Sequence, residues 1–348
     1  MGFWRNQLYG PTNPITDSGW KPENTRKGFF TDTSICIGCK ACEVACKEWN
    51  RVPARGEKEH GNQLLGSSYD NSGHLGANTW RHVAFIEQGP EQLAKAKASG
   101  AVALGMPSIG APPAATSSCG SNTTADTSQS TPQGLPAVRW LMSSDVCKHC
   151  THAGCLDVCP TGALFRSEFG TVVVQADVCN GCGMCVAACP FGVIGRRENG
   201  TVTVPTSDGN TIQEKIHNGG VAQKCTLCYD RIKDGQKPAC AQTCPTTSIK
   251  FGDHADMVKA ARKRLADLHA QGRTEARLYG ANPHDGVGGT GSVFLLMDEP
   301  EAYGLPPDPV VPTRHLSQMF TKAGIAGTAM IGIALAVFAG NGSLNKGA

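Results

Sequence analysis

The stretches CKHCTHAGCLDVCP (147–160) and CNGCGMCVAACP (179–190) decide the fold of this chain, because each brings four cysteines together over a short distance. Working outward from them, two further groups of four appear. These are CIGCKACEVAC (36–46) on the N-terminal side and CTLCYDRIKDGQKPACAQTCP (225–245) on the C-terminal side. Sixteen of the 17 cysteines fall in these groups, and Cys119 stands apart. The spacing of the cysteines, more than their number, indicates their use.

The first and third groups have the spacing C-x2-C-x2-C-x3-C, which bacterial ferredoxins use to hold iron–sulfur clusters. Three thiolates on a tight loop reach three irons of one cluster, and the fourth points away to a neighbouring cluster. The residues between them are small, as a loop wrapped around a cluster requires. Proline follows the fourth cysteine in three of the groups and redirects the chain there. The sequence therefore predicts four [4Fe–4S] clusters.

The pairing of cysteines follows from the same rule. Cys159 and Cys179 are close in sequence, so groups two and three form one two-cluster unit and groups one and four form the other. Each group then gives its fourth cysteine to the partner group's cluster. The predicted ligand sets are set 1 (Cys36, Cys39, Cys42, Cys244), set 2 (Cys147, Cys150, Cys155, Cys189), set 3 (Cys159, Cys179, Cys182, Cys185) and set 4 (Cys46, Cys225, Cys228, Cys240).

Three other uses of the cysteines compete with this interpretation. Disulfides are disfavoured because C-x2-C spacing suits them poorly and a chain of this size needs no staples. Zinc sites use separated C-x2-C pairs, which only group four imitates. A thioredoxin-like dithiol explains a single C-x2-C pair and not four groups of four.

Composition excludes several other classes. The chain has 348 residues, 40% of them apolar and 18% charged, so wholesale disorder is not expected. Its net charge of +3 gives no electrostatic footprint for nucleic acid. The ten histidines are scattered, and the sequence contains no Ser/His/Asp order, metal-protease motif or phosphate loop. We expect no catalysis by the chain on its own, and we expect His149 and His152 to tune or pack near the clusters.

Between the cysteine groups the pattern is one of short elements. Residues 80–87 alternate and predict a strand, and residues 138–143, 171–175 and 248–251 are further strand candidates. A hairpin or loop is predicted over 201–218, with a turn at 207–210. An amphipathic helix is predicted over 253–271, with an apolar stripe of Met257, Ala261, Leu265 and Leu268. The segment 89–136 is rich in Ala, Ser and Pro and predicts an exposed, partly flexible insertion, in which Cys119 is a bystander thiol.

The C-terminal part suggests a membrane anchor. LPPDPVVP (305–312) predicts a stiff, extended linker. Residues 323–340 contain no charge, and 18 residues of helix span about 27 Å, close to the thickness of a hydrocarbon core. A buried helix of a soluble protein is the alternative. The N-terminal sequence has neither an apolar h-region nor a twin arginine, so we expect no secretory signal there.

The cysteine-containing stretches and the region that follows them resemble a known protein family. CKHCTHAGCLDVCPTGALF, CNGCGMCVAACPFGV and KCTLCYDRIKDGQKPACAQTCPTTSIKFG are similar to the four-cluster electron-transfer subunits of molybdopterin oxidoreductases. YGANPHDGVGGTGSVFLLMDEPEAYGLPPDP and the C-terminal span more particularly resemble the iron–sulfur (beta) subunit of respiratory membrane-bound formate dehydrogenases. The sequence departs from that family in its 89–136 insertion and in having Lys47, not proline, after Cys46.

The resemblance implies an α+β fold of two ferredoxin-like dicluster domains in pseudo-symmetry, plus one transmembrane helix. The expected boundaries are 1–88 for the first part of domain one, 89–136 for the insertion, 137–198 for domain two, 199–304 for group four and the post-cluster region, 305–322 for the linker and 323–340 for the transmembrane helix.

The implied function is electron transfer from a molybdenum- or tungsten-containing molybdopterin catalytic (alpha) subunit to a haem b membrane (gamma) subunit and quinone. The positive-inside rule, applied to Arg314, Lys322 and Lys346, would leave the large domain in the cytoplasm. Family members instead face outward, exported folded with their catalytic subunit, so we expect the extracytoplasmic face of the cell membrane. The alternatives are the same role in a hydrogenase or another molybdopterin reductase, a free soluble ferredoxin-like hub, and a zinc-stabilised structural protein.

Overall fold

The computed structural model of the chain describes residues 25–52, 72–103, 138–311, 313 and 316–344. In this part of the chain short strands and short helices alternate around the cysteine groups. The strands are β1 (Lys27–Asp32), β2 (Arg81–Gln88), β3 (Arg139–Val146), β4 (Leu164–Arg166), β5 (Val172–Val174), β6 (Gly195–Arg196), β7 (Thr201–Pro205), β8 (Thr211–Lys215), β9 (Ala222–Gln223), β10 (Ile249–Asp253), β11 (Arg277–Tyr279) and β12 (Ser292–Leu296). The α-helices are Ala41–Asn50, Pro90–Ala103, Gly154–Asp157, Met184–Ala187, Tyr229–Lys233, Ala239–Thr243, His254–Ala270 and Leu316–Leu344.

A four-stranded sheet in the order β10-β1-β12-β11 organises the molecule. β1 pairs antiparallel with β10 and parallel with β12, and β11 closes the other edge antiparallel to β12. The two central strands read as nearly continuous apolar runs, FFT and SVFLL, because both of their faces are buried. The sheet therefore joins the N-terminal cysteine group to the region that follows the last one.

The two faces of this sheet carry different cores. On one face Phe30, Val293 and Leu295 pack against the helix His254–Ala270, which buries Ala261 and Leu268. On the other face Phe29, Phe294 and Leu296 pack in the same core as cysteines of groups one, two and four. A third core, built on Ala163, Leu164, Val172 and Ile194, packs around cysteines of groups two and three. The cysteines thus lie inside packed apolar layers.

Most of the predicted elements are present. β2 and β3 form an antiparallel pair that extends from Arg81 opposite Val146 to Gln88 opposite Arg139. The predicted hairpin is formed by β7 and β8, with Gly209 in the left-handed region at its turn. The amphipathic helix begins at His254, one residue later than predicted, because Asp253 still pairs with Lys27 in the sheet. Met257 and Leu265 pack partly buried beside Ala261 and Leu268.

The segment predicted as an exposed, partly flexible insertion (89–136) is helical and partly buried in its first part. Pro90–Ala103 is a helix that buries Leu93 and Ala96. Gly100 lies so close to the Thr274 carbonyl that a Cβ there would sit 2.2 Å from the oxygen. Ala and Lys are strong helix formers, and proline suits the first turn, so the low-complexity composition concealed a docked helix. Residues 104–136, including Cys119, lie outside the described residues.

The proline-rich segment is not a free spacer. Leu305 and Val311 are buried, the Tyr279 hydroxyl donates to the Pro306 carbonyl at 2.7 Å, and the Thr313 hydroxyl donates to the Asp157 carboxylate at 2.5 Å. The segment thus packs against the rest of the protein through Leu305, Val311 and Thr313. The last helix is Leu316–Leu344. Among the described residues one stretch, Gln318–Phe338, is long and apolar enough to cross a membrane, and none of it is buried in the protein. The helix extends beyond the predicted 323–340 at both ends.

Candidate metal centre

All sixteen cysteines of the four groups are described, and none of them is in a disulfide. Cys39 and Cys182 are exposed, whereas the others are buried or half-buried. The eight buried cysteines are Cys42, Cys46, Cys147, Cys159, Cys185, Cys225, Cys228 and Cys240. The spacing placed the cysteines in groups, but only the fold sinks them into apolar surroundings.

The four C-x2-C loops share one backbone feature. In each loop the residue just before the second cysteine is in the left-handed region: Gly38, His149, Gly181 and Leu227 have φ of 68°, 45°, 72° and 62°. This conformation turns backbone N–H groups toward sulfur. The N–H of Gly181 donates to the Cys179 sulfur at 3.4 Å, and that of Leu227 donates to the Cys225 sulfur at 3.3 Å. Such N–H···S bonds are among the features that set the potential of a cluster.

Two of these positions admit only glycine. A Cβ on Gly38 would lie 2.7 Å from the Phe85 ring, and one on Gly181 would lie 2.0 Å from the Gly220 carbonyl oxygen. At His149 and Leu227 a side chain is accommodated instead, and both side chains are buried. His149 is held by its Nδ1, which accepts from the Val172 N–H at 3.2 Å, and burial lowers its pKa well below the usual value. His149 is therefore a neutral packing residue next to the cysteines.

The cysteines of set 1 line one cavity, together with Val83, Ser144 and Ile249. Burial raises the pKa of Cys36, and Cys42, Cys244 and Cys39 add to the effect as like charges. Burial also raises the pKa of Cys42 to about 11, although its sulfur lies 3.2 Å from the Ser144 hydroxyl.

The cysteines of set 2 line a second cavity, which Lys148, His149 and Lys224 also border. Burial raises the pKa of Cys155 to about 12; Lys224 opposes this, and Cys147 and Cys189 reinforce it. Two buried lysines at this cavity were not anticipated from the sequence. Their only sequence signal is that each adjoins a cysteine of a group, Lys148 after Cys147 and Lys224 before Cys225.

In sets 3 and 4 the like charges around each thiol show which cysteines lie together. Burial raises the pKa of Cys185 to about 11, and its like-charged neighbours are Cys179, Cys159 and Cys182, the other members of set 3. Burial raises the pKa of Cys46 strongly, and its like-charged neighbours are the remaining members of set 4: Cys225, Cys240 and Cys228.

Cys159 of set 3 differs from the other buried thiols. Burial acts to raise its pKa, but backbone N–H groups of Leu164, Thr161 and Ala163 and the Thr161 hydroxyl outweigh burial and lower the pKa. Its thiolate is thus already stabilised by the loop that follows it.

Neighbouring sets also contact one another electrostatically. Cys240 of set 4 acts on Cys42 of set 1. Among the cysteines that raise the pKa of Cys225 in set 4, Cys147 of set 2 has the largest effect. Cys185 of set 3 acts on Cys155 of set 2. These three neighbour relations place the sets in the order 1, 4, 2, 3.

The residues fit a cluster that carries several irons. The cysteines of sets 1 and 2 surround cavities, as they must when each thiolate binds a different iron. Buried thiols with raised pKa values stay protonated until a metal displaces the proton, and a coordinated thiol is deprotonated outright.

Comparisons with known proteins agree with this chemistry. The family model described as a 4Fe-4S dicluster domain matches residues 138–207 and 210–254, and that described as a 4Fe-4S binding domain matches residues 33–49. The two models together cover all four cysteine groups.

Similar proteins cover nearly the whole chain. The nitrate-inducible formate dehydrogenase iron–sulfur subunit of Escherichia coli (strain K12) is 35% identical over 94% of this chain and 88% of its own length. The formate dehydrogenase iron–sulfur subunit of Haemophilus influenzae is 34% identical over 88% of this chain and 76% of its own. The formate dehydrogenase-O iron–sulfur subunit of E. coli is 34% identical over 80% of this chain and 71% of its own. With its cysteine groups, buried thiols and this coverage, the chain belongs to the family of formate dehydrogenase iron–sulfur subunits, which carry [4Fe–4S] clusters and transfer electrons without being the catalytic subunit.

Proposed function

We propose that the chain binds four [4Fe–4S] clusters, one in each of the cysteine sets 1 to 4, and conducts electrons from a molybdopterin-containing catalytic subunit that oxidises formate to a haem b membrane subunit and quinone. One-electron transfer is the chemistry that these clusters supply when bound. The residues of this chain contribute the ligands, the order of the sets and the dry surroundings. The names of the relatives support formate as the electron source.

The observation that carries the proposal is the order of the sets. A conducting protein needs its carriers in a line, with accessible ends and an insulated middle. The two end sets each have an exposed cysteine, Cys39 in set 1 and Cys182 in set 3. All four cysteines of set 4, in the middle, are buried. This is the arrangement that a wire between two partner subunits requires.

The direction of the line follows from the C-terminal segment. Val311 and Thr313, just before the last helix, contact the short helix Gly154–Asp157, which carries Cys155 of set 2. The candidate anchor therefore leaves the body beside sets 2 and 3. We propose that set 3 delivers electrons on the membrane side and that set 1 receives them from the catalytic subunit.

The test is to interrupt the middle of the line. Cys225→Ser removes a buried ligand of set 4, and Thr226→Ser is the matched control in the same loop. In the purified complex, formate-to-quinone transfer should be lost in Cys225→Ser, whereas formate-to-dye transfer at the catalytic subunit should persist. Wild-type quinone activity in Cys225→Ser with one cluster fewer would contradict the line.

The identity of the catalytic partner is tested separately. The large subunit that copurifies with the chain is identified by mass spectrometry, and formate and hydrogen are compared as electron donors. Formate-driven reduction of the clusters supports the proposal. Reduction by hydrogen alone would make the chain the corresponding wire of a hydrogenase.

We also propose that the helix Leu316–Leu344 anchors the protein in the cell membrane with the large domain on the extracytoplasmic face. Its 318–338 stretch is apolar and exposed on all sides, which suits lipid. Protease added to intact spheroplasts should then cut the large domain, whereas protease added to inverted vesicles should leave it intact. The reverse pattern would place the domain in the cytoplasm.

A further inference from the structure

A buried guanidinium lies between two cysteine sets. Arg81, the first residue of β2, is 1% exposed. Its Nη1 donates to the Ser144 carbonyl at 3.2 Å and to the Ser144 hydroxyl at 3.0 Å, and its guanidinium carbon lies 4.9 Å from the centre of the Phe29 ring. Since Ser144 also contacts the Cys42 sulfur, the strand pair β2–β3 holds the guanidinium next to set 1.

The remaining N–H donors of Arg81, on Nε and Nη2, are not needed to hold its side chain in place. Its Nε and Nη2 are buried and find no oxygen or nitrogen acceptor among the described residues, and its side chain forms a hydrogen bond with Cys240 of set 4. Leaving a buried donor unsatisfied is costly, and burying an unpaired charge is costlier still. No carboxylate of the described residues forms an ion pair with Arg81. A methionine or leucine would fill the same space without these costs, so the charge itself requires an explanation.

The titratable groups that act most strongly on Arg81 are four cysteines, and they belong to two sets. Burial disfavours the charged guanidinium, but Cys240, Cys42, Cys225 and Cys46 together outweigh burial and raise the pKa of Arg81. Cys42 belongs to set 1 and the other three to set 4. Arg81 is therefore a permanent positive charge shared by two neighbouring sets.

Two other buried cations, Lys148 and Arg197, differ from Arg81 in this respect. Lys148 is paired with the Asp145 carboxylate, which neutralises it. Arg197 donates to the Asn78 side chain and to the carbonyls of His217 and Ala77, and burial alone lowers its pKa, with no cysteine acting on it. Arg197 is thus a buried arginine of the same kind without a cysteine set in reach.

We propose that Arg81 tunes the two clusters of sets 1 and 4, raising the reduction potentials of both by its fixed charge and its N–H donors. The inference rests on the proposed assignment of clusters to these sets. A cluster gains one negative charge on reduction, so a nearby positive charge in a poorly polarisable interior favours the reduced form. Hydrogen bonds to cluster sulfur act in the same direction. Because the charge is shared, it shifts the potentials of the two adjacent carriers in the same direction.

The test is a redox titration of the purified complex followed by electron paramagnetic resonance. Arg81→Met should shift the midpoint potentials of two clusters to more negative values and leave the other two unchanged. Arg81→Lys, which keeps the charge, should shift the same two clusters less. Arg197→Met, the matched control, should shift none. The affected signals are identified as those lost in Cys42→Ser and Cys225→Ser.

The outcomes separate this inference from the proposed function. Iron and acid-labile sulfide are measured first, and a wild-type content of four clusters with formate-to-quinone activity tests the function independently of Arg81. Unchanged potentials in Arg81→Met, or an equal shift of all four clusters, would overturn the tuning role. Loss of clusters from both Arg81→Met and Arg81→Lys would also overturn it, since Arg81 would then serve assembly.

Discussion

At the scale of single residues, backbone conformation around the cysteines is the decisive feature. His149 and Leu227 adopt in groups two and four the left-handed conformation that Gly38 and Gly181 adopt in groups one and three. Such a conformation costs a residue other than glycine about 1–2 kcal/mol. It persists because both side chains are buried and held by their neighbours. The burial of these side chains thereby helps to hold the loops in this conformation.

A ligand and a bystander thiol should be separable. Cys182→Ser should remove one cluster, and with it about a quarter of the iron and acid-labile sulfide if each set holds one [4Fe–4S] cluster. Cys119→Ser should leave both contents unchanged, since Cys119 belongs to none of the four groups. Metal analysis of the purified complex checks this. Comparable iron loss in the two variants would contradict the assignment of sixteen cysteines as cluster ligands and of Cys119 as a bystander thiol.

A buried histidine should make stability depend on pH. Burial, followed by the charge of Arg26, lowers the pKa of His254 from 6.5 to about 4, and its Nε2–H donates to the Thr290 carbonyl at 2.8 Å. The unfolded chain binds this proton more readily than the folded one. The neutral His254 side chain therefore makes its full contribution to the stability of the folded protein above its pKa in the unfolded chain. That contribution declines by about 1.4 kcal/mol per pH unit as the pH falls from this value toward the pKa of His254 in the folded protein.

The measurement for His254 is thermal unfolding of the cluster-loaded protein across that pH window. His254→Gln keeps a donor for the Thr290 carbonyl but cannot titrate, so its midpoint should fall less steeply on acidification than that of the wild type. Parallel curves for the two proteins would show that His254 is not the group responsible.

At the scale of elements, close approach of backbones decides which segments are fixed. The helix Pro90–Ala103 came from a stretch that composition alone assigned to a flexible insertion. It docks through Gly100 against Thr274, through the Ser99 hydroxyl to Glu299 at 2.6 Å, and through buried Leu93. Its partners are far away in sequence, as in the bond from the Thr274 hydroxyl to the Lys97 carbonyl. No local pattern could have announced them.

A single methyl group should reveal this docking. Gly100→Ala places a Cβ 2.2 Å from the Thr274 carbonyl oxygen, so the helix must shift, and we expect a loss of about 1–3 kcal/mol of stability. Gly89→Ala, with nothing within 4 Å of the added Cβ, should be neutral. Thermal unfolding of the two variants provides the comparison. If Gly100→Ala is as stable as Gly89→Ala, the helix is not held at this contact.

In the molecule as a whole, the last helix is exposed, whereas the elements that carry the cysteines pack around buried apolar cores. The body buries its cysteines in apolar cores, whereas the 318–338 stretch has no protein around it. The strap through Leu305, Val311 and Thr313 fixes where the helix leaves the body. An apolar helix of this length without protein cover is stable in lipid, because its backbone is satisfied internally.

Truncation after Thr313 should therefore release the protein from the membrane fraction without unfolding it. Keeping Thr313 retains its bond to Asp157, so the strap stays in place. Cluster content and formate-to-dye activity of the complex should match the wild type. Cutting instead after Gly304 also removes the buried Leu305 and Val311, and it should lower the thermal midpoint. Retention of the first truncation in the membrane, in the absence of another membrane subunit, would contradict the anchor.

Local sequence patterns were sufficient to predict the [4Fe–4S] cofactor, the four cysteine groups and most of the short strands and helices. Cluster ligation requires thiols at fixed spacing in a tight loop, and that information is local. The hairpin at 201–218 and the amphipathic helix were likewise predicted from local pattern, and the structure has them at β7–β8 and at His254–Ala270.

The surroundings of the cysteine groups and their order in space are visible only in the three-dimensional structure. Burial of Arg81 among cysteines of two sets, the docked helix at Pro90–Ala103 and the order of the sets all depend on segments far apart in the chain. β2, which carries Arg81, is held by β3 from beyond the insertion, and the groups it faces come from both ends of the chain. Charge interactions and close packing depend on distance in space, which a spacing pattern along one chain does not contain.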